Sequence, residues 1–224
     1  MNINQLKIIF PLAAAFLFQA PQAQGALYNL LTNGSFETPD TPAGTDPRPP
    51  EGFIGYGVGS TALTGWSISG NTVYVLDNFD NFDNYVFDSV ASDGDQFVQL
   101  ANNASDSTIS QTIDTRIGKT YTLSFDYGGV NAATQTRTLT YNYGAGDQFL
   151  TYEVSNLSLG VNEWWSHSVN FVASSTTTTI SFTGDYWAGF WGVGVDNVVV
   201  TPEPSSTALL SLGLSSLLLR RKRS

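Results

Sequence analysis

The residues able to do chemistry are unevenly placed. Four of the five tryptophans fall in the last third, as Trp164-Trp165 and within Tyr186-Trp187-Ala188-Gly189-Phe190-Trp191. Sugars present flat C–H faces that stack on aromatic rings, while Asp and Asn bond their hydroxyls. The second cluster falls between two predicted strands, so Tyr186, Trp187 and Trp191 are candidate carbohydrate-binding side chains, with packing between sheets as the alternative. Neighbours on a strand point to opposite faces, so one of Trp164 and Trp165 belongs to the core. His167 is the single histidine and lies on the apolar face of a predicted strand. A core histidine is expected there. A Ser-His-Asp triad would depend wholly on it, and no Gly-x-Ser-x-Gly elbow accompanies it, so no catalytic residue is assigned. Carboxylates are abundant and admit a glycosidase pair by composition. No two of them, however, occupy strand positions that name an acid and a nucleophile. Asp77, Asp80 and Asp83 recur every third residue in a tandem repeat. Without Asp-x-Asp-x-Asp-Gly spacing or a terminal Glu, that repeat reads as a solvated loop anchored by aromatics rather than a calcium loop.

Charge narrows the partners. The chain carries a net −10. Five of its nine basic residues are Lys7 and Arg220 to Arg223, so residues 26–201 keep four against eighteen acidic ones, near −14. Such a surface does not bind nucleic acid or anionic lipid by charge, and suits divalent cations or neutral and basic partners. There is no cysteine. Thiolate metal sites are therefore excluded, and a domain of this size can rely on its core instead of disulfides.

The elements that must position these residues are strands. Tyr121, Leu123, Phe125 and Tyr127 alternate with Thr120, Thr122, Ser124 and Asp126. The pattern returns over Thr136 to Tyr143, Ser166 to Val172, Thr176 to Thr183 and Gly192 to Val200. Further strands are predicted at Trp66 to Ile68, Val73 to Leu76, Gln96 to Leu100 and Thr108 to Ile113, with Gly, Asn, Asp and Ser clusters between them. No long stretch carries the helical period. Many short strands separated by turns predict an all-β antiparallel sandwich or jelly roll. Thr38 to Gly59, with five prolines, reads as a long surface loop.

The two ends read as sorting signals. Lys7, the apolar run Ile8 to Ala20 and the small residues Ala23-Gln24-Gly25 predict a signal peptide over residues 1–25, cleaved after Gly25. At the other end, residues 202–224 hold Pro202-Glu203-Pro204, an apolar run from Thr207 to Leu219, and Arg220-Arg221-Lys222-Arg223. The basic cluster resists translocation. About thirteen residues as a helix span roughly 20 Å, against a hydrocarbon core near 30 Å, so this short membrane helix anchors weakly. The arrangement resembles the PEP-CTERM sorting tail of Gram-negative bacteria, with Thr201 where that family often has Val. The resemblance implies recognition and cleavage by an exosortase, and delivery to the cell surface or the exopolysaccharide matrix.

A second resemblance covers most of Leu27 to Val200. It is carried in order by Asn29 to Glu37, Thr64-Gly65-Trp66, Asp93 to Leu100, Ile109 to Ile113, Gly118 to Phe125 and Val195-Asp196-Asn197-Val198. These pieces are similar to the galactose-binding-like β-sandwich shared by several carbohydrate-binding modules. In that family the first and last strands lie together and commonly share a structural Ca2+. The matching side chains here are Glu37 and Asp196. Two side chains cannot supply six to eight oxygens, so backbone carbonyls near Asn33 and in Thr38 to Asp40 would complete the shell.

Three functions remain open: a secreted, non-catalytic surface protein with a carbohydrate-binding sandwich, a structural or adhesive matrix protein with no sugar site, and an extracellular glycoside hydrolase. Exposed aromatics in a groove would favour the first. A carboxylate pair about 5–10 Å apart in a cleft would favour the third.

Overall fold

Alternation along Thr120 to Tyr127 sends four apolar side chains to one face, and the strand that results, β6 (Thr120–Gly129), buries Tyr121, Leu123 and Phe125. The computed structural model describes residues 28–40, 53–77, 90–100, 105–129, 135–154, 163–185 and 192–203. Among them are eleven strands in two antiparallel sheets. The first sheet runs in the order β1 (Phe53–Tyr56), β3 (Val73–Asp77), β4 (Gln96–Leu100), β11 (Val193–Pro202), β6, β9 (Glu163–Val172). The second runs β2 (Ser67–Ser69), β5 (Ser107–Asp114), β10 (Thr177–Gly184), β7 (Gln135–Asn142), β8 (Gln148–Val154). Their inner faces share one core. Phe125 of the first sheet meets Phe182 of the second edge-on at 4.8 Å and Tyr141 at 5.2 Å. The protein is thus an all-β antiparallel sandwich.

The first sheet is also covered in part on its outer face. All five residues of β4 are buried, because Leu76, Ala91 and Phe97 form a second small core with Tyr74 and Trp164 against it.

Two strands depart from the sequence expectation. The stretch Thr38 to Gly59 was expected to be loop throughout, yet it contains β1. Among the described residues this strand is an edge, paired only with β3 through Phe53↔Leu76 to Tyr56↔Val73. β8 is the other addition, the outer strand of the second sheet. Its Phe149 points outward and is exposed, which blurs the alternation of Leu150 and Tyr152. The signal peptide, the apolar run Thr207 to Leu219, Asp80, Asp83, and Tyr186 to Trp191 lie outside the described residues.

The topology groups the connections that cross between sheets. Those following β4, β6, β8 and β10 all leave from one end, where Leu100 pairs with Val193, Gly129 with Glu163, Gln135 with Val154 and Gly184 with Ser107. Residues 186–191 belong to the last of these connections. β11 ends at the opposite end of the sandwich, with Pro202 opposite Tyr121.

Candidate functional site

The separate sequence pieces of the resemblance meet in one knot beside β11. Asn29 Nδ2 donates to Val198 O at 2.8 Å, while its Oδ1 accepts from Val200 N at 2.9 Å. Gly34 passes so close to this strand that a Cβ there would sit 2.0 Å from Val198 O. Asn33 takes the left-handed conformation at φ 56°. Its side chain holds Thr38 N–H and the carbonyls of Thr38 and Thr64. Trp66 donates its indole N–H to Asn33 O at 2.9 Å and packs on Phe36 at 5.3 Å. Gln111 closes the far side through the backbone N–H and C=O of Thr32.

Glu37 and Asp196 each hold one part of the segment that leads into β4. Glu37 Oε1 accepts from Asp95 N at 2.9 Å and Gln96 N at 2.8 Å. Gly94, at φ 74°, leaves room for that carboxylate, since a Cβ there would lie 2.4 Å from Oε1. Asp196 is fully buried. Its Oδ2 accepts from Ser92 N at 2.8 Å, Ser92 Oγ at 3.1 Å and Asp93 N at 2.9 Å, and its Oδ1 accepts from Asn197 N at 2.7 Å. A bulge between Asp196 and Val199, with Asn197 at φ 50°, aims these groups inward. Burial pushes the Asp196 carboxyl up to about 7, against the pull of the Asp93, Asn197 and Ser92 hydrogen bonds.

The carbonyl oxygens that a calcium shell would need already accept hydrogen bonds. Asn33 O already accepts from Trp66 Nε1 and Phe36 N. Thr38 O accepts from Asn33 Nδ2 and Thr64 N, and Pro39 O accepts from Gln96 Nε2. Among the described residues no group of three or more His, Asp or Glu side chains gathers around a point. A cation would therefore draw on carbonyl oxygens that are already engaged and on the carboxylates themselves. Opposite Asp196 on β6 stands Asp126, and Ser92 Oγ lies 2.9 Å from Asp126 Oδ2 and 3.1 Å from Asp196 Oδ2.

A second polar cluster lies at the end where the crossing connections leave, and the sequence did not single it out. Arg137 of β7 is only 2% exposed and faces Tyr152 of β8 in register. Burial lowers its pKa, against the opposing pull of Tyr152 and Asp185. Asp185 exchanges backbone and side-chain bonds with Thr138, receiving its N–H on Oδ2 at 3.0 Å. Its Oδ1 is buried with no hydrogen-bond partner among the described residues. Burial raises its carboxyl pKa, opposed by the Thr138 hydrogen bond and by Arg137. Tyr152 donates to Gly128 O at 2.7 Å, and its ring meets Tyr127 at 5.0 Å and Trp165 at 5.1 Å. Tyr186, Trp187 and Trp191 follow directly in the chain.

The remaining aromatic candidates are packing residues. Trp165 lies on the inner face with Tyr127 and Tyr152. Trp164 points outward, yet it is held edge-on to Phe97 at 5.3 Å and by an indole N–H to Val90 O at 2.8 Å. Both are therefore engaged, where one was expected in the core. His167 sits on the inner face between Phe125 and Tyr141, with Nε2 at 2.9 Å from the Tyr141 hydroxyl, as a half-buried core histidine. The outer face of the second sheet offers hydroxyls: Thr108 meets Thr183 and Thr112 meets Thr179. Its exposed ring is Phe149, on the edge strand. A surface depression of about 230 Å³ between Gly59 and Ile68 has Trp66 in its lining, but that ring is 3% exposed. Of the sorting residues, Pro202 and Glu203 are described, whereas Pro204, Arg220, Arg221, Lys222 and Arg223 are not.

A β-sandwich followed by a sorting signal is the class this geometry defines, since residues 200–223 match the PEP-CTERM protein-sorting motif, which implies export to the cell surface. The chain belongs to the DUF642 family, described as a protein of unknown function, whose model matches residues 29–201. Halomucin of Haloquadratum walsbyi (strain DSM 16790 / HBSQ001) is 26% identical over 183 residues, covering 80% of this chain but 2% of that protein. Solved structures that are similar include TmCBM61 in complex with beta-1,4-galactotriose, at 22% identity over 79% of this chain and 99% of that one, with a TM-score of 0.49. Another is the CBM22-1 xylan-binding domain from Paenibacillus barcinonensis Xyn10C, at 12% identity over 69% and 94%, with a TM-score of 0.42.

Proposed function

We propose that this is an exported, non-catalytic surface protein whose sandwich binds carbohydrate at the end carrying Arg137, Asp185 and the Tyr186 to Trp191 segment. The observation that supports this most is the buried Asp185 oxygen that has no hydrogen-bond partner among the described residues, near a buried guanidinium. Native proteins leave few such atoms, and a polar ligand is one way to complete them. Tyr186, Trp187 and Trp191 would supply stacking faces, and Asp185 would orient hydroxyls. The test is a glycan array followed by affinity measurement on the processed protein, with Tyr186→Ala, Trp187→Ala and Trp191→Ala. The expected result is weaker binding at an unchanged unfolding midpoint. No glycan bound, or a stability loss of about 3–5 kcal/mol for each ring, would sink the reading.

Export is the second part of the proposal. Residues 1–25 are removed as a signal peptide, and an exosortase cuts the tail near Pro202, leaving the protein on the envelope or in the exopolysaccharide matrix of a Gram-negative bacterium. Mass spectrometry of surface-extracted protein should then find neither Met1 to Gly25 nor Arg220 to Arg223. An intact C-terminus on the secreted form contradicts this. A Ca2+ ion at Glu37 and Asp196 is the third part, with a role in stability and none in chemistry.

A further inference from the structure

Pro202 and Glu203 of the sorting motif are the last rungs of the sandwich among the described residues. β11 continues through Pro202, which stands opposite Tyr121 of β6. One residue on, Glu203 N–H donates to Thr120 O at 3.0 Å. The Glu203 side chain is also held, because the Thr122 hydroxyl donates to its Oε1. Thr122 is opposite Thr201 on one side and Asn170 of β9 on the other, and Asn170 Oδ1, 3.0 Å from the same hydroxyl, is a second acceptor that competes for its one proton. On the other edge of β11, the N-terminal segment bonds to Val198 and Val200. The Pro202 rung lacks an N–H. The Glu203 rung, with one backbone and one side-chain bond, is therefore what ties this end to β6.

An enzyme that reads an extended peptide needs its backbone and side chains, and a strand already in a sheet has given one edge away. We propose that the sandwich latches its own sorting motif: Glu203 is held by Thr120 and Thr122, and the processing enzyme captures the motif only when this rung opens. The inference rests on the sorting reading above. Both Pro202 and Glu203 are exposed, and strand ends fray at little cost, so the latch slows capture without blocking it. Thr122 is accordingly a positioning residue, distinct from the residues the enzyme would read.

The experiment uses the full chain in cells that carry the sorting machinery, with pulse-chase of tail removal read as a mass shift. Thr122→Val keeps shape and removes the hydroxyl, whereas Thr122→Ser keeps the hydroxyl. A four-residue Gly-Ser insertion between Thr201 and Pro202 moves the motif off β6 and leaves the rungs up to Thr201 intact. Thr122→Val should be processed about two- to fivefold faster, the range of one modest hydrogen bond. The insertion should be at least as fast, and Thr122→Ser should match the wild type. If the wild type is cut while Thr122→Val and the insertion are cut at its rate or more slowly, the latch is overturned and the sorting reading stands. A wild type that is never cut overturns the sorting reading, and the latch with it.

Discussion

Asp196 and Asp185 are both carboxylates that burial pushes toward the neutral form, but their surroundings treat them differently. Around Asp196, Ser92, Asp93 and Asn197 supply four hydrogen bonds to the two oxygens. Around Asp185, one oxygen takes Thr138 N–H and the other is buried with no hydrogen-bond partner among the described residues, near an almost wholly buried arginine. A matched buried acceptor pins chain segments together, and removing it strands its donors. An unmatched one contributes little to the fold and is where a ligand has something to add. On the proposed reading, the Asp196 cluster serves stability and the Asp185 cluster serves binding.

That division can be broken by substitution. Asp196→Ala should cost about 3 kcal/mol or more in urea unfolding, because buried donors at Ser92, Asp93 and Asn197 lose their acceptor. A loss below about 1 kcal/mol would mean that the knot does not depend on this carboxylate. Next in size is the proposed calcium. At a hundredfold excess over Kd, an ion bound only to the native state adds about 2.7 kcal/mol, or roughly 5–10 °C in Tm for a domain of this size. Thermal unfolding in calcium and in chelator should differ by that much for the wild type and not for Asp196→Ala. Identical wild-type midpoints remove the ion. Gly94→Ala sharpens the same cluster, because its Cβ would meet Glu37 Oε1 at a left-handed φ. The expected cost is about 1–2 kcal/mol, and Glu37→Ala in the same chain should relieve part of it. Failure of the pair to couple would separate Glu37 from the turn.

The smallest effect belongs to His167. Burial lowers its pKa below the ordinary 6.5, so the unfolded chain takes up the proton first. Its contribution is complete above about 6.5 and is lost as pH falls through the lower folded value. The ring is only half-buried, which keeps the effect small. Urea midpoints at pH 7.5 and pH 5 for the wild type and His167→Gln should converge at the lower pH. Parallel behaviour would contradict a neutral, packed imidazole.

Strands with one apolar face were legible from their alternation: β6, β7, β9, β10 and β11 carry it, and the inward Leu123, Phe125, Ile180 and Phe182 are buried. β1 was not, because Phe53-Ile54-Gly55-Tyr56 follows a proline-rich stretch and its one neighbour is distant in sequence. β8 was hidden by Phe149, an outward ring on an edge. Trp164 shows another limit of the period-two argument: the outward face of a strand is still buried when a segment covers it, and alternation has no information about that cover. Glu37 and Asp196 were named only as calcium ligands that the resemblance implies, and the partners the structure gives them are mostly backbone N–H groups, which no residue type announces. Arg137 and Asp185 were missed for another reason. One lies within β7 and the other just past β10, and their meeting depends on the register of β7 with β8 and β10.

The central claim is that the Asp185 cluster binds carbohydrate and the Asp196 cluster stabilises the fold. The most direct measurement pairs glycan affinity with urea unfolding on one preparation each of wild type, Asp185→Asn and Trp187→Ala. The account predicts at least tenfold weaker glycan binding for both variants, equal to about 1.4 kcal/mol, with unfolding free energies within about 1 kcal/mol of wild type. Unchanged affinity together with a stability loss of about 3 kcal/mol or more would make the Asp185 end a packing cluster and contradict the account.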